Sequence, residues 1–337
     1  MTAFRIPPCT WQFDTSTVES KSIITQEMID EARGIIKGKV HRTPLVPATT
    51  IGQRFGAQLY FKYENLQRTG SFKPRGALNK LAHLTAEEKA RGLIAVSAGN
   101  HAQGVAYAAQ REGLKATIVM PANAPQAKAD ATRGYGAEVV LYGTIATIFD
   151  KAYELQREHG YTFVHPFDDP YVIAGQATVA MEILEDLPDV EVVAVQIGGG
   201  GLLSGIAAAI KLNKPAVRVI GVESASGPAM QESLKQGKVA HITRAPTIAD
   251  GMGAPFVGEL TLAHTKQFVD ELVTVDDDDI KDAMRWILQR SKLLTEGAGA
   301  GGTAAFLSGK ARVPAGAKVV TILSGGNIDF ERLKTVI

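Results

Sequence analysis

The chain has 337 residues, 45% hydrophobic and 21% charged, an ordinary globular balance able to fill one large or two modest domains. A net charge of +1 gives no electrostatic reason to expect nucleic acid or an anionic membrane as partner, and suits small zwitterionic or neutral metabolites. Its single cysteine, Cys9, excludes an intrachain disulfide.

The amino terminus, MTAFRIPPCTWQF, lacks the basic stretch and apolar core of a signal peptide, and no apolar run has the length of a membrane span. A soluble cytoplasmic protein is therefore expected. Residues 1–20 carry Trp11 and Phe13 without a periodic pattern and read as an arm that packs on a neighbour. Cys9 has no partner motif there, which argues against a nucleophile.

The first predicted strand is LYFKY (59–63). After it, ENLQRTGSFKPRGA (64–77) places Lys73 behind Gly70, Ser71 and Phe72 and before Pro74, which suits a first helical turn. An amine at such a junction is partly desolvated, as a Schiff-base lysine requires. TAEEKARG (85–92) reads as a helix with Thr85 as cap, Glu88 returning the bond and Gly92 at the exit. LIAVS (93–97), ATIVM (116–120) and EVVLY (138–142) read as strands. Between the first two, SAGNHAQG (97–104) opens a helix whose start suits a carboxylate. HPFDDPYV (165–172) is rich in turn residues and marks a crossing between two lobes.

EVVAVQI (191–197) is a buried strand, followed by Gly198, Gly199, Gly200 and Gly201 and a helix beginning near Leu202. Successive glycine N–H groups at a helix start curl around an anion, so this is a phosphate site. No Gly-Lys-Ser/Thr follows, which excludes the phosphate-loop nucleotidase pattern. The rival is a dinucleotide fold. Its glycine register fails from Gly198, Gly199 or Gly200, yet Glu223 ends the next strand, AVRVIGV (216–222), about where an acid would hold a ribose. VDDDD (275–279) suits a helix start, and KVVTILS (318–324) is the last strand. Glycine clusters at 198–201, 297–302 and 324–326 suggest loops where backbone approaches a ligand. The seven histidines show no zinc spacing. Alternating strands and helices mean an α/β fold with open, twisted, parallel-type sheets and helices on both faces.

Four of these segments, in order, resemble the fold-type II pyridoxal-phosphate enzymes, in the branch of threonine dehydratase and serine racemase. SFKPRGA is similar to that branch's cofactor-lysine motif, SAGNHAQG to its substrate loop, GGGGL to its phosphate loop and LSGGN (323–327) to its pyridine-nitrogen loop. The resemblance covers nearly the whole chain. It implies a tryptophan synthase β-like fold, with 1–85 and 171–337 as a large cofactor domain and 86–170 as a small mobile one. It implies that Lys73 forms the Schiff base and removes the substrate Cα proton, that Phe72 packs beside the cofactor, and that Gly198, Gly199, Gly200, Gly201 and Leu202 hold its phosphate. Ser324 then faces the pyridine nitrogen, and Asn100 the ring 3-oxygen. Ser97, Ala98, Gly99, Asn100 and His101 line the substrate, His101 mainly through its backbone, while Ser97 matches a serine acting on the opposite face of the cofactor. Racemase-like members bind a divalent cation through a glutamate at Glu223 and an aspartate six residues on. Ala229 stands at that second position, which leaves a monovalent ion on backbone carbonyls as the alternative.

The leading expectation is a threonine/serine ammonia-lyase, acting on a small amino acid as a homodimer or homotetramer. The chain ends soon after LSGGN, which points to the short catabolic type. Alternatives are serine racemase, a dehydratase of hydroxyaspartate or phenylserine, an NAD-dependent dehydrogenase, and a non-catalytic cofactor-binding regulator, against which Lys73 and Ser324 argue.

Overall fold

Strands that are apolar on both faces need cover on both sides, and the computed structural model, which describes residues 4–5, 23–144 and 147–337, supplies it in two sheets. The strands are β1 (Phe4–Arg5), β2 (Leu45–Pro47), β3 (Gln58–Lys62), β4 (Leu93–Val96), β5 (Ala116–Met120), β6 (Glu138–Leu141), β7 (Thr162–Phe163), β8 (Val192–Gln196), β9 (Arg218–Ser224), β10 (Glu271–Val275) and β11 (Lys318–Ile322). Seven form one sheet in the order β1-β10-β9-β8-β11-β3-β2, and four form the other in the order β6-β5-β4-β7. Among the described strands, the edge pairs β1–β10 and β2–β3 are antiparallel and the other pairs parallel. The expected α/β class with parallel-type sheets is thus what the chain adopts.

Every residue of β4, β5 and β8 is buried, so each needs helices on both faces. The second sheet comes from residues 93–163. Helices Pro170–Asp186 and Gly201–Asn213 pack together against the main sheet, with Ile173, Ala177, Ile206 and Ile210 in one core.

The seven strands expected from the sequence all form, each within two residues of its expected ends. Thr85 and Glu88 exchange the reciprocal cap bonds at 3.2 and 2.8 Å, and Gly92 leaves the helix at a φ of +82°. Asp276 caps helix Asp277–Trp286 as the acid run suggested. β1, β2, β7 and β10 escape the sequence pattern. The first three have two or three residues, and β10, ELVTV, includes Glu and Thr that break an apolar run. One expectation is overturned. The glycines at 297–302 are not a ligand loop but the first half of helix Gly297–Leu307, buried on all sides. They are small because the neighbours press close: the Cα of Gly297 faces the Ile248 carbonyl, and that of Gly301 the Met252 sulfur. The arm, with Cys9, Trp11 and Phe13, lies outside the described residues.

Helix Lys73–Ala82 is held by a buried charge network. Arg75 donates from Nε and Nη2 to Glu64 at 2.9 and 2.8 Å and from Nη1 to Glu182 at 2.7 Å. Lys62 Nζ reaches Glu182 at 2.6 Å. Two cations and two carboxylates balance, which is what permits their burial.

Candidate active site

Lys73 is the first residue of its helix, with Pro74 behind it, so the chain turns sharply out of the preceding extended segment. That segment is pinned to the end of β11. Ser71 bridges Gly325, the Phe72 N–H donates to the Ser324 carbonyl at 3.1 Å, and the Gly326 N–H to the Gly70 carbonyl at 2.9 Å. Loops 252 to 256 residues apart in sequence thereby meet at the lysine. Lys73 Nζ donates to the Pro166 carbonyl at 2.8 Å and lies 5.1 Å from the centre of the Phe72 ring. Burial pulls its pKa down to about 8, against the attraction of Glu296.

SAGN reaches the lysine's surroundings from the second sheet. Ser97 follows β4, and its Oγ accepts the Gly99 N–H at 3.1 Å. Ala98 and Gly99 lead into helix Asn100–Glu112, whose Gly104 lies directly against Lys73. Asn100 Nδ2 donates to Glu296 Oε1 at 2.6 Å, and its Oδ1 accepts from Asn327 Nδ2 at 2.8 Å. Asn327 also donates to the Thr69 carbonyl at 2.7 Å. Thr69 is held at a φ of +63°, a costly conformation for a β-branched residue beside the lysine loop. His101 turns away: its Nε2 meets the Val164 carbonyl at 3.0 Å, and burial lowers its pKa to about 3. It is a neutral core histidine.

On the far side, β8 runs into Gly198, Gly199 and Gly200, and helix Gly201–Asn213 begins one residue earlier than expected, with Leu202 in its first turn. Gly200 has a φ of +99°, open to glycine alone among common residues. Among the described residues, the N–H groups of Gly198, Gly199 and Gly200 have no hydrogen-bond acceptor. Among the described residues the first-turn amides of Gly201, Leu202 and Leu203 likewise have no acceptor. Side chains on Gly199 or Gly201 would run into Phe167. Ser324, buried, has a hydroxyl without a protein partner among the described residues.

The family described as pyridoxal-phosphate dependent enzyme matches residues 36–325. The chain belongs to it. L-threonine ammonia-lyase of Thermotoga maritima is 50% identical over 319 residues, 94% of this chain and 78% of that protein. The catabolic L-threonine dehydratase of Staphylococcus aureus is 45% identical over 330 residues, 96% and 95% of the two chains. Maize serine racemase superposes with a TM-score of 0.87 at 37% identity, over 92% of this chain and 95% of that one.

The residues of this pyridoxal-phosphate enzyme fit the cofactor. Unpaired amides at a glycine-lined helix start suit a phosphate dianion, and a buried amine whose pKa is lowered suits an aldehyde. The dinucleotide alternative falls. Glu223, which it assigned to a ribose, is buried, and its two oxygens accept the N–H groups of Met230 and Gln231 at 2.7 and 2.8 Å. Burial raises its pKa to about 7 against those two bonds. Among the described residues, no group of three His, Cys, Asp or Glu gathers; the two bonds make Glu223 a cap of helix Ala229–Gln236.

Four contributors were not singled out from the sequence. Glu296 directly precedes the glycine helix and is pushed up to about 7, chiefly by burial, with Lys128 and Asn100 opposing. Asn327 ends LSGGN. Pro166 and Phe167 belong to the crossing segment. Only Asn327 stood inside a motif; the others join the site through chain crossings that no local pattern encodes: Pro166 at Lys73, Phe167 at the glycine loop and Glu296 at Asn100.

Proposed function

We propose that the chain converts L-threonine to 2-oxobutyrate and ammonia, and L-serine to pyruvate and ammonia. The observation that carries this reading is the gathering of the Lys73 amine, the Ser324 loop pinned beside it and, through adjacent Pro166 and Phe167, the glycine loop, in a chain whose relatives are named threonine ammonia-lyase and dehydratase.

Bound pyridoxal phosphate supplies the electron sink that acidifies the substrate Cα–H bond. Lys73 and Phe72 would hold the cofactor, Gly198 to Leu202 would hold its phosphate, and Asn100 and Ser324 would serve its ring. Lys73 Nζ, as free base, takes the Cα proton. Ser97 to His101 orient the substrate carboxylate at the helix start. The Ser324 hydroxyl is neutral and does not keep a proton on the ring nitrogen as a carboxylate would. Electron demand is then moderate, which favours prompt loss of the β-hydroxyl over transamination.

Residues 86–170 are read as a small unit that moves over the substrate, the assembly as a homodimer or homotetramer, and the compartment as the cytoplasm. Among the described residues no helix is long and apolar enough to cross a membrane. A cation beside Glu223 is part of the same reading.

Ser97 and the superposition on maize serine racemase favour a second reading, racemisation of serine. A panel of L-threonine, L-serine, hydroxyaspartate and phenylserine, assayed for 2-oxo acid, ammonia and D-serine, tests both. Ammonia released from threonine with little D-serine is the expected result. Racemisation without ammonia would overturn the lyase assignment.

A further inference from the structure

Two adjacent carboxylates stand where the chain leaves the second sheet, and they do different things. Asp169 caps its own helix: Oδ1 accepts the Tyr171 and Val172 N–H groups at 2.9 and 3.1 Å. Asp168 serves a helix some ninety residues further on. Its Oδ2 accepts the Glu259 N–H at 3.1 Å, and its Oδ1 accepts those of Leu260 and Thr261 at 3.0 and 3.2 Å. Helix Glu259–Phe268 has Gly258 at its N-cap and no capping side chain of its own. A side chain on Gly258 would strike Asp168, so the distant carboxylate occupies the place an N-cap side chain would take.

Thr261 carries this anchorage to the phosphate loop. Its Oγ1 accepts the Gly258 N–H at 2.9 Å and lies 2.8 Å from the Gly199 carbonyl, to which it donates. Its Cβ is 2.7 Å from where a side chain on Gly200 would begin, so the loop rests on it. In a trans peptide the C=O and the next N–H point in opposite directions. Holding the Gly199 oxygen toward Thr261 therefore turns the Gly200 N–H the other way, out of the helix packing. A run of glycines has no side chains to fix that peptide, so something outside the loop must.

We propose that Thr261 sets the Gly199–Gly200 peptide so that the Gly200 N–H meets the cofactor phosphate, and that Asp168 holds Thr261 in place; both are positioning residues. The proposal rests on the assignment of Gly198 to Leu202 to the phosphate. It explains why the crossing segment carries a second aspartate that caps nothing of its own.

The test titrates apoenzyme with pyridoxal 5′-phosphate and, separately, with pyridoxal, which lacks the phosphate. Thr261→Val removes the hydroxyl and keeps the branched shape. It should weaken pyridoxal phosphate binding roughly tenfold, the weight of one hydrogen bond serving a charged group. It should leave pyridoxal binding near wild type in an apoenzyme that still folds, with a lowered melting temperature because the Gly258 N–H loses its acceptor. Thr261→Ser should restore the affinity, and Asp168→Asn, which keeps one accepting oxygen, should show the same selective loss in smaller measure. Unchanged phosphate preference in Thr261→Val, or equal loss for both probes, would overturn the proposal. Gly200→Val separates the underlying assignment. If it also leaves the preference for the phosphate intact, the glycine loop is not the phosphate site at all.

Discussion

The amine of Lys73 must lose its proton before it can attack an aldehyde, and its surroundings favour that loss. With a pKa of about 8, roughly one molecule in ten carries the free amine at pH 7, against roughly one in three thousand for an ordinary lysine. The rate at which apoenzyme captures pyridoxal phosphate should therefore climb as pH rises toward 8 and level off above it. Stopped-flow capture at a series of pH values measures this, and a flat profile would contradict it. Lys73→Ala should abolish borohydride fixation of the cofactor while leaving the apoenzyme folded. Glu296 is shifted in the opposite sense, from 4.5 to about 7, first of all by burial. The folded protein keeps this proton where the unfolded chain has released it. Stability from Glu296 is therefore full below 4.5 and lost as pH rises toward 7. Glu296→Gln keeps an acceptor for Asn100 and cannot titrate. Urea unfolding of its apoenzyme should show a flatter decline over that window than wild type, and identical slopes would remove Glu296 as the titrating group.

At the scale of elements, the site is built from ends: the end of β4, the end of β8, the end of β11 and the starts of three helices. Helix starts leave their amides unpaired, which is why ligands collect there. The glycine loop is the most sequence-sensitive of these ends, because Gly200 lies at a φ of +99°. A branched side chain there is strained as well as crowded by Thr261. We expect Gly200→Val to lower pyridoxal phosphate affinity by roughly tenfold or more. Fluorescence titration with far-UV circular dichroism of the apoenzyme checks it. Loss of the fold together with the affinity would make the loop structural.

Across the whole molecule, the buried network of Arg75, Glu64, Lys62 and Glu182 ties β3 and helix Lys73–Ala82 to helix Pro170–Asp186. It fixes the lysine-bearing helix to the helix that leaves the crossing segment. Removing one carboxylate leaves a buried cation without its counter-charge. Glu64→Ala should cost about 3–5 kcal/mol in equilibrium unfolding. A loss under about 1 kcal/mol would mean that water reaches Arg75 in the variant.

Local chemistry was legible in the residues. Strand runs, the Thr85 cap, Pro74 behind Lys73 and four glycines after an apolar strand depend on neighbours within a few positions, so the sequence displays them directly. The four motifs, read together, were enough for the cofactor and the lyase class. What the tertiary structure alone decided is who meets whom. Glu296 reaches Asn100 across 196 residues, and Pro166 reaches Lys73 across 93. Asp168 caps a helix that lies far beyond its own. The glycines at 297–302 stand in a buried helix because Ile248, Met252 and other distant neighbours leave no room for side chains, and Glu223 became a cap because a helix started opposite it. Backbone propensity acts over one turn or one strand. Burial and long-range pairing act only after the chain has crossed itself, and in this protein the electrostatics of the site belong to those crossings.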